Sequence, residues 1–143
     1  MYGKNKNVGI AGPKVLDMHG IIQPSRCSMR TDMLEMFQIY KAAKFFCRKK
    51  WSHYFCLDQN AEKSAYVYHV SGCCFAMSHS CAIKVAPLDE GMVLYHEELI
   101  LGRRMEKEGL RTMYEPKSVV FHRHGATAKE SLRFLRMALR SEK

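Results

Sequence analysis

The sequence predicts an α/β domain, and three stretches of the chain lead to that prediction. Residues 7–14 are typical of a short buried strand, closed by a glycine-proline pair. Residues 31–50 carry apolar side chains at three- and four-residue steps, which indicates an amphipathic helix. Residues 97–108 form a second helical run, and a strand-like, β-branched run after it ends on His122. We therefore expect a sheet with about three helices packed against it.

Length and composition indicate one globular domain over residues 1–143. The chain has 143 residues, of which 47% are hydrophobic and 26% are charged, so it can bury a core. No apolar run approaches the roughly 20 residues of a membrane span, and the start lacks the apolar core of a signal peptide. We therefore expect a cytoplasmic protein.

The cysteines predict buried free thiols rather than a disulfide framework. There are six, none in a Cys-x-x-Cys pair, at positions 27, 47, 56, 73, 74 and 81. A zinc site built from Cys73, Cys74 or Cys81 with His122 or His124 is a weaker alternative, because ligand pairs at the usual spacing are missing.

The charge balance admits several partners. A formal net charge of +9 suits nucleic acid, an anionic membrane or a phosphorylated substrate. No nucleic-acid-binding module is recognisable, so we expect no nucleic acid partner. A non-enzymatic basic module for anionic glycan, membrane surface or nucleic acid remains the alternative to an enzyme. Strongly salt-dependent binding of polyanions would favour that alternative.

In the first part of the chain, residues 14–23 predict a hairpin-like excursion in which Asp17 and His19 shape the turn. The helix at 31–50 is expected to end on its basic triplet, with Trp51, Tyr54 and Phe55 following as aromatic core anchors.

In the later part, residues 65–77 predict a strand that is interrupted by Ser71-Gly72. A short helix is expected at 78–85, and Gly109 stands where a helix C-cap glycine would stand. Residues 127–130 form a capping box before a final helix with a basic outer face.

Several of these pieces, in this order, resemble family-2 glycosyltransferases, which have the GT-A fold. The matching pieces are Val8–Lys14, Gly20–Pro24, Ser71–Cys74, the acidic loop Leu88–Gly91, Tyr95-His96-Glu97-Glu98, Arg104, Glu108-Gly109, Tyr114-Glu115-Pro116 and Val119–His122. The family pattern in the second half is "YxED…R…G…P…vvxH", and Glu98 replaces the commoner Asp. The resemblance covers most of the chain and is closest to rhamnosyltransferase-like members.

The resemblance implies roles for seven residues. Glu98 would be the general base, and Glu97 would orient it or bind sugar hydroxyls. Asp89 and Glu90 would contact the acceptor. Gly72 would lie beside the sugar-donor pocket.

Two basic residues complete the implied site. Arg104 would neutralise a carboxylate or reach a phosphate. His122 would assist a metal ion or the diphosphate of the donor.

The resemblance also implies that this chain is the C-terminal half of a GT-A enzyme. The donor-binding half and its Asp-x-Asp metal motif would lie before Val8. The complete enzyme would use Mg²⁺ or Mn²⁺, whereas we expect this chain alone to bind no metal and to be inactive. Its substrates would be a nucleotide sugar and a glycan or lipid-linked acceptor, as in cell-wall polysaccharide biosynthesis, with peripheral contact at the inner face of the membrane. Without the N-terminal strands, a sheet edge at Val8–Ala11 would be unpaired, which predicts homo-oligomers.

Overall fold

The computed structural model describes residues 7–29, 48–86 and 97–123, and within these ranges it contains six strands and three helices. They are β1 (Val8–Leu16), β2 (Arg26–Cys27), α1 (Arg48–Tyr54), β3 (Ala65–Val67), β4 (His69–Val70), β5 (Ala76–Met77), α2 (His79–Val85), α3 (Glu97–Lys107) and β6 (Arg111–Phe121). This architecture confirms the predicted mixed α/β class. The acidic loop, most of the helix predicted at 31–50 and the predicted final helix lie outside the described residues.

The main sheet has the strand order β3-β6-β1-β5. The two long strands, β1 and β6, run parallel at its centre, while β5 and β3 pair with them antiparallel. The sheet is therefore mixed, and β6 returns parallel to β1 through α3, as a parallel pair requires a crossover connection.

Strand β1 continues past the Gly12-Pro13 pair at which the sequence predicts its end. Gly12 lies against Val70, and a Cβ on Gly12 would approach the Val70 Cβ to 2.6 Å, so glycine permits close packing here rather than a turn. The pairing of β1 with β6 shifts register between Pro13 and Lys14. A proline is tolerated there because β5 pairs with β1 only at Ile10 and Ala11.

The prediction of an unpaired edge at Val8–Ala11 is wrong. Strand β5 pairs with Ile10 and Ala11 on the side of β1 opposite β6. Because both sides of Ile10 and Ala11 are occupied, these residues offer no free edge to a second copy, and the proposed edge does not support homo-oligomers.

The predicted excursion after β1 is confirmed as a hairpin. Leu16 and Ile22 form an antiparallel bridge, and Oδ1 of Asp17 accepts hydrogen bonds from the backbone N–H of His19 and of Ile21, each at 2.8 Å. Gly20 has a φ of 80°, which favours glycine. Asp17 thus shapes the turn, as predicted.

The segment at 65–77 forms three short strands instead of one. Strand β3 joins the edge of the main sheet, whereas β4 pairs with β2 in a separate two-stranded sheet, and β5 returns to β1. The interruption falls where Ser71-Gly72 predicts it, because the chain there leaves one sheet for the other.

The predicted end of one helix differs from the structure. The helix described at Arg48–Tyr54 carries the basic triplet within it, so the predicted helix end at Lys50 is wrong. Tyr54 is buried, as predicted for an aromatic anchor. Helix α2 matches its prediction and begins with Ser78, whose Oγ accepts from the Cys81 backbone N–H at 3.2 Å. Gly109 has a φ of 64°, in agreement with a C-cap glycine after α3.

The core lies between the main sheet, β4 and the helices α2 and α3. Its buried members are Ile10, Cys56, Val67, Val70, Cys81, Val85, Leu101, Met105 and Tyr114. Among the cysteines, Cys27, Cys56 and Cys81 are buried free thiols, as predicted. Cys73 and Cys74 are free but exposed, because the chain turns outward between β4 and β5, so the prediction of burial is wrong for them.

Candidate active site

A hydrogen bond between Glu98 and the turn after β4 holds the candidate site together. The backbone N–H of Gly72 donates to Oε1 of Glu98 at 2.7 Å. Glu98 is half-buried in the first described turn of α3, while Gly72 is exposed. Two residues that lie 26 positions apart in the sequence, and that the family resemblance assigns to one site, are thus in direct contact.

The turn that presents Gly72 is fixed by its neighbours. The Ser71 backbone N–H donates to the Ser25 carbonyl oxygen at 2.9 Å, which continues the pairing of β4 with β2. A Cβ on Gly72 would stand 2.8 Å from Oε1 of Glu98. Glycine therefore allows the backbone to approach the carboxylate closely.

Glu98 lies at the side of a small recess between α3, β4 and the starts of the two central strands. Its surface is mostly apolar, from residues such as Phe75 and Ile10, and three residues with polar side chains also line it, namely His69, Glu98 and Thr112. The recess has room for about one water-sized group, so it can hold a single hydroxyl or water but not a sugar ring.

His69 lines this recess, and the sequence pattern does not single it out. Both of its ring nitrogens are buried, and the backbone of Val70 lies close enough to hydrogen-bond the ring. Burial lowers the pKa of His69 to about 4, and the Val70 backbone offsets this only in part, so the imidazole is neutral near pH 7. The sequence contained one signal for this residue, namely a titratable side chain within a strand-like run of mostly apolar residues.

The helix approaches this recess closely at Gly102. A Cβ on Gly102 would lie 3.0 Å from the Tyr68 ring. Tyr68 precedes His69 and its ring contacts the imidazole edge-on at 6.0 Å between centroids. The packing of α3 against this segment thus places Glu98 and His69 at one recess.

Other predicted site residues of the acidic stretch are only partly described. Glu97 is exposed beside Glu98 on α3. Asp89 and Glu90, predicted to contact the acceptor, lie outside the described residues, as does His124.

Arg104 has a structural partner on a neighbouring helix. Its Nη1 donates to the Val85 carbonyl oxygen at 2.8 Å, at the C-terminal end of α2. A cation there neutralises the partial negative charge of the helix end. The predicted contact of Arg104 with substrate remains a prediction.

His122 follows β6 at the end of the central strand pair. Its backbone N–H donates to the Leu16 carbonyl oxygen at 2.8 Å, and Nδ1 lies 3.3 Å from Oε1 of Gln23. The Gln23 amide donates in turn to the His122 carbonyl oxygen at 2.8 Å. His122 is thus tied to the hairpin that follows β1.

The described residues alone do not build a metal centre. Within 7–29, 48–86 and 97–123, no three His, Cys, Asp or Glu side chains are grouped so that they could hold an ion. The metal role predicted for His122, and the zinc alternative with the cysteines, therefore remain predictions without a described ligand set.

The chain is similar in sequence to a known rhamnosyltransferase. Over 114 residues, 80% of the chain, the sequence is 26% identical to N-acetylglucosaminyl-diphospho-decaprenol L-rhamnosyltransferase of Mycobacterium tuberculosis, in both strain CDC 1551 / Oshkosh and strain ATCC 25618 / H37Rv. The aligned part spans 37% of the length of these relatives. No protein-family model matches the chain, and no solved structure matches it.

A membrane span is not found in the described part of the chain. None of its helices is both long enough and apolar enough to cross a bilayer.

Proposed function

We propose that this chain is the acceptor-binding and catalytic part of a glycosyltransferase that moves a sugar from a nucleotide donor to a glycan or lipid-linked acceptor. The observation that carries the proposal is the carboxylate of Glu98, held by the Gly72 backbone at the side of a small, mostly apolar recess. Similarity to a rhamnosyltransferase over 80% of the chain supports the same reaction class.

The chemistry requires a base at the acceptor. As the acceptor hydroxyl attacks the anomeric carbon, its proton must pass to a positioned group. In our proposal Glu98 accepts that proton through Oε2 while Oε1 remains bonded to Gly72. A carboxylate anchored through one oxygen keeps its orientation, so the second oxygen can be aimed at the acceptor before the reaction begins. Attack from the face opposite the leaving diphosphate inverts the anomeric configuration.

The remaining predicted residues take supporting roles in this proposal. Glu97 orients Glu98 or binds sugar hydroxyls, and Asp89 and Glu90 bind the acceptor. Arg104 holds α3 against α2, and its charge contributes positive potential to the donor side. His122 is proposed for the diphosphate side, where a divalent metal in the complete enzyme would neutralise charge on the leaving group.

The finer assignments belong to the same proposal. We infer that the main sheet is the C-terminal part of a GT-A sheet, and that the complete enzyme works at the inner face of a membrane on a lipid-linked acceptor. The relatives are named for an N-acetylglucosaminyl-diphospho-decaprenol acceptor and for L-rhamnose, so an acceptor that ends in N-acetylglucosamine is the first to test.

The test is transfer of labelled sugar by a donor-half fusion, in which the N-terminal donor half of a family-2 glycosyltransferase precedes this chain. The assay supplies nucleotide-activated L-rhamnose and an N-acetylglucosaminyl diphosphate lipid. We expect transfer by the fusion and none by the donor half alone. A folded fusion that binds its donor but transfers no sugar to any acceptor tried would contradict the proposal.

A further inference from the structure

We propose that the hairpin after β1 and the end of β6 form a membrane-contacting surface, which inserts exposed apolar side chains into an anionic lipid bilayer. We call this surface the apolar corner, and it consists of the exposed residues Met18, Ile21, Ile22, Val119 and Phe121. The inference deepens the proposed function and rests on it, because it says how the catalytic part reaches an acceptor whose lipid lies in a bilayer.

Strand pairing brings three of these residues together. Leu16 forms an antiparallel bridge with Ile22 on one side and pairs with Phe121 of β6 on the other. Paired residues of neighbouring strands have their side chains on the same face of a sheet, so Ile22 and Phe121 flank Leu16 on one face. Lys14 pairs with Val119, two positions before Leu16 and Phe121, so Val119 lies on that face as well. These side chains therefore form one surface.

The tip of the hairpin continues this surface with two side chains that project into solvent. Met18 is 63% exposed, and Ile21 and Phe121 are each 64% exposed. The tip is well fixed, because the Asp17 backbone N–H donates to the Ile21 carbonyl oxygen at 2.8 Å and Oδ1 of Asp17 accepts two further backbone bonds. Turns are ordinarily polar, so large apolar side chains on a fixed tip indicate a surface that is covered in use.

The shape of the apolar corner favours a bilayer over a protein partner. A projecting hairpin tip needs a matching pocket in a protein, since the anchor residues of protein interfaces pack into well-formed pockets. A bilayer accepts a projecting apolar side chain without such a pocket, and its interface takes in several of them at once. Five separate side chains on a hairpin and a strand end thus fit lipid best.

The charge of the chain favours an anionic lipid surface. The formal net charge is +9, and anionic headgroups attract basic residues that lie near the surface. Beside the apolar corner, Lys117 and Arg123 are exposed, and neither forms an ion pair within the part of the chain that the structure describes. The nearby carboxylates are bonded within the fold, namely those of Asp17, Glu62 and Glu115.

The experiment measures co-sedimentation of the 143-residue chain with vesicles of phosphatidylglycerol and phosphatidylcholine, and with vesicles of phosphatidylcholine alone. The variants are Ile21→Ser and Phe121→Ser. The matched control is Ile83→Ser, at a side chain on α2 that is 67% exposed and lies outside the apolar corner. We expect tighter binding to the anionic vesicles, binding about tenfold weaker for each of the two variants, and normal binding by the control.

A second measurement detects insertion directly and does not depend on a loss of binding. Ile21→Trp places an indole at the hairpin tip, and its fluorescence is recorded with vesicles whose acyl chains carry bromine, which quenches nearby indoles. We expect quenching beyond that of the original chain, in which Trp51 supplies the background. The control Ile83→Trp should show the background quenching only.

Three results would overturn the inference: no binding to anionic vesicles, binding that Ile21→Ser leaves unchanged, or no added quenching in Ile21→Trp. Dimers in sedimentation that Ile21→Ser dissociates, with vesicle binding unchanged, would assign the apolar corner to a second copy instead. Failure of the proposed function is separable from these results.

Vesicle binding through the apolar corner, in a chain whose donor-half fusion transfers nothing, would reject the transferase and keep the membrane surface. Transfer to a lipid-linked acceptor in vesicles, with unchanged acceptor KM in an Ile21→Ser fusion, would reject this inference alone.

Discussion

The Gly72 backbone N–H and Oε1 of Glu98 are 2.7 Å apart, and this contact joins the turn after the two-stranded sheet to α3. The carboxylate of Glu98 is thus positioned by a backbone N–H group rather than by another side chain. Because the turn itself is tied to the Ser25 carbonyl oxygen, the carboxylate depends on two sheets and a helix that pack together. Substitutions at this contact should consequently alter orientation more than overall stability.

Gly72→Ala should reduce sugar transfer while it changes stability little. The new Cβ would stand 2.8 Å from Oε1, and the end of a glutamate side chain can move away at small cost, but it then loses the Gly72 bond. We expect a free energy of unfolding within about 1 kcal/mol of the original and a clear drop in kcat of the donor-half fusion. Urea unfolding and initial rates measure the two effects.

Gly12→Ala is the matched control for this variant. There the added Cβ would meet the branched, buried side chain of Val70 at 2.6 Å, which cannot move freely. Overpacking of this kind costs about 1–3 kcal/mol. A Gly72→Ala chain that is as strongly destabilised as Gly12→Ala would show that Gly72 is only a packing residue.

Arg104→Ala should lower stability through the α2–α3 contact. The variant loses the 2.8 Å bond from Nη1 to the Val85 carbonyl oxygen and the cation at the end of α2. A hydrogen bond to a charged, half-buried group is worth about 1–2 kcal/mol. Chemical unfolding measures the loss, with Lys107→Ala at an exposed position of α3 as the control. Equal stability of both variants would contradict the structural role of Arg104.

The stability of the chain should fall between about pH 6.5 and pH 4 because of His69. Its pKa is lowered from 6.5 in the unfolded chain to about 4 in the fold, so the unfolded state binds more protons in this window. The contribution of neutral His69 is fully present above pH 6.5 and is lost as the pH falls toward 4. A shift of this size corresponds to about 3 kcal/mol.

Urea unfolding at several pH values, on the original chain and on His69→Phe, isolates this contribution. Between about pH 6.5 and pH 4, the free energy of unfolding of the original chain should fall by about 2–3 kcal/mol more than that of His69→Phe, because only the original chain carries the imidazole. Parallel curves for the two proteins would contradict the burial of a neutral His69.

Local sequence patterns correctly predicted the elements that depend on interactions between residues close in sequence. The turn at Asp17, the short helix after Ser78 and the C-cap at Gly109 each follow from side-chain capping or from a positive φ, and the structure has all three. The family resemblance assigned Gly72 and Glu98 to the same site. It could not predict their contact, because it gives the order of the two residues along the chain and not the distance between them.

The failed predictions depend on which elements pair in three dimensions. Ile10 and Ala11 do not lie at a sheet edge, because β5 pairs with them. This pairing involves only two residues of each strand, which is too few to leave a recognisable pattern in the sequence. Gly12 suggested a turn, whereas it serves close packing against Val70. His69 was missed because the burial of an imidazole is recognised only when its surroundings are known.

The most direct test of the account is the rate of sugar transfer by Glu98→Gln and Glu97→Gln in the donor-half fusion. The amide introduced by Glu98→Gln still carries an oxygen that can accept the Gly72 N–H, so the fold and the donor affinity should hardly change, but it cannot accept a proton. We predict a kcat lower by about a hundred- to ten-thousand-fold for Glu98→Gln, and a smaller loss for Glu97→Gln. Near-normal turnover by Glu98→Gln, in a fusion that folds and binds its donor, would contradict the assignment of Glu98 as the general base.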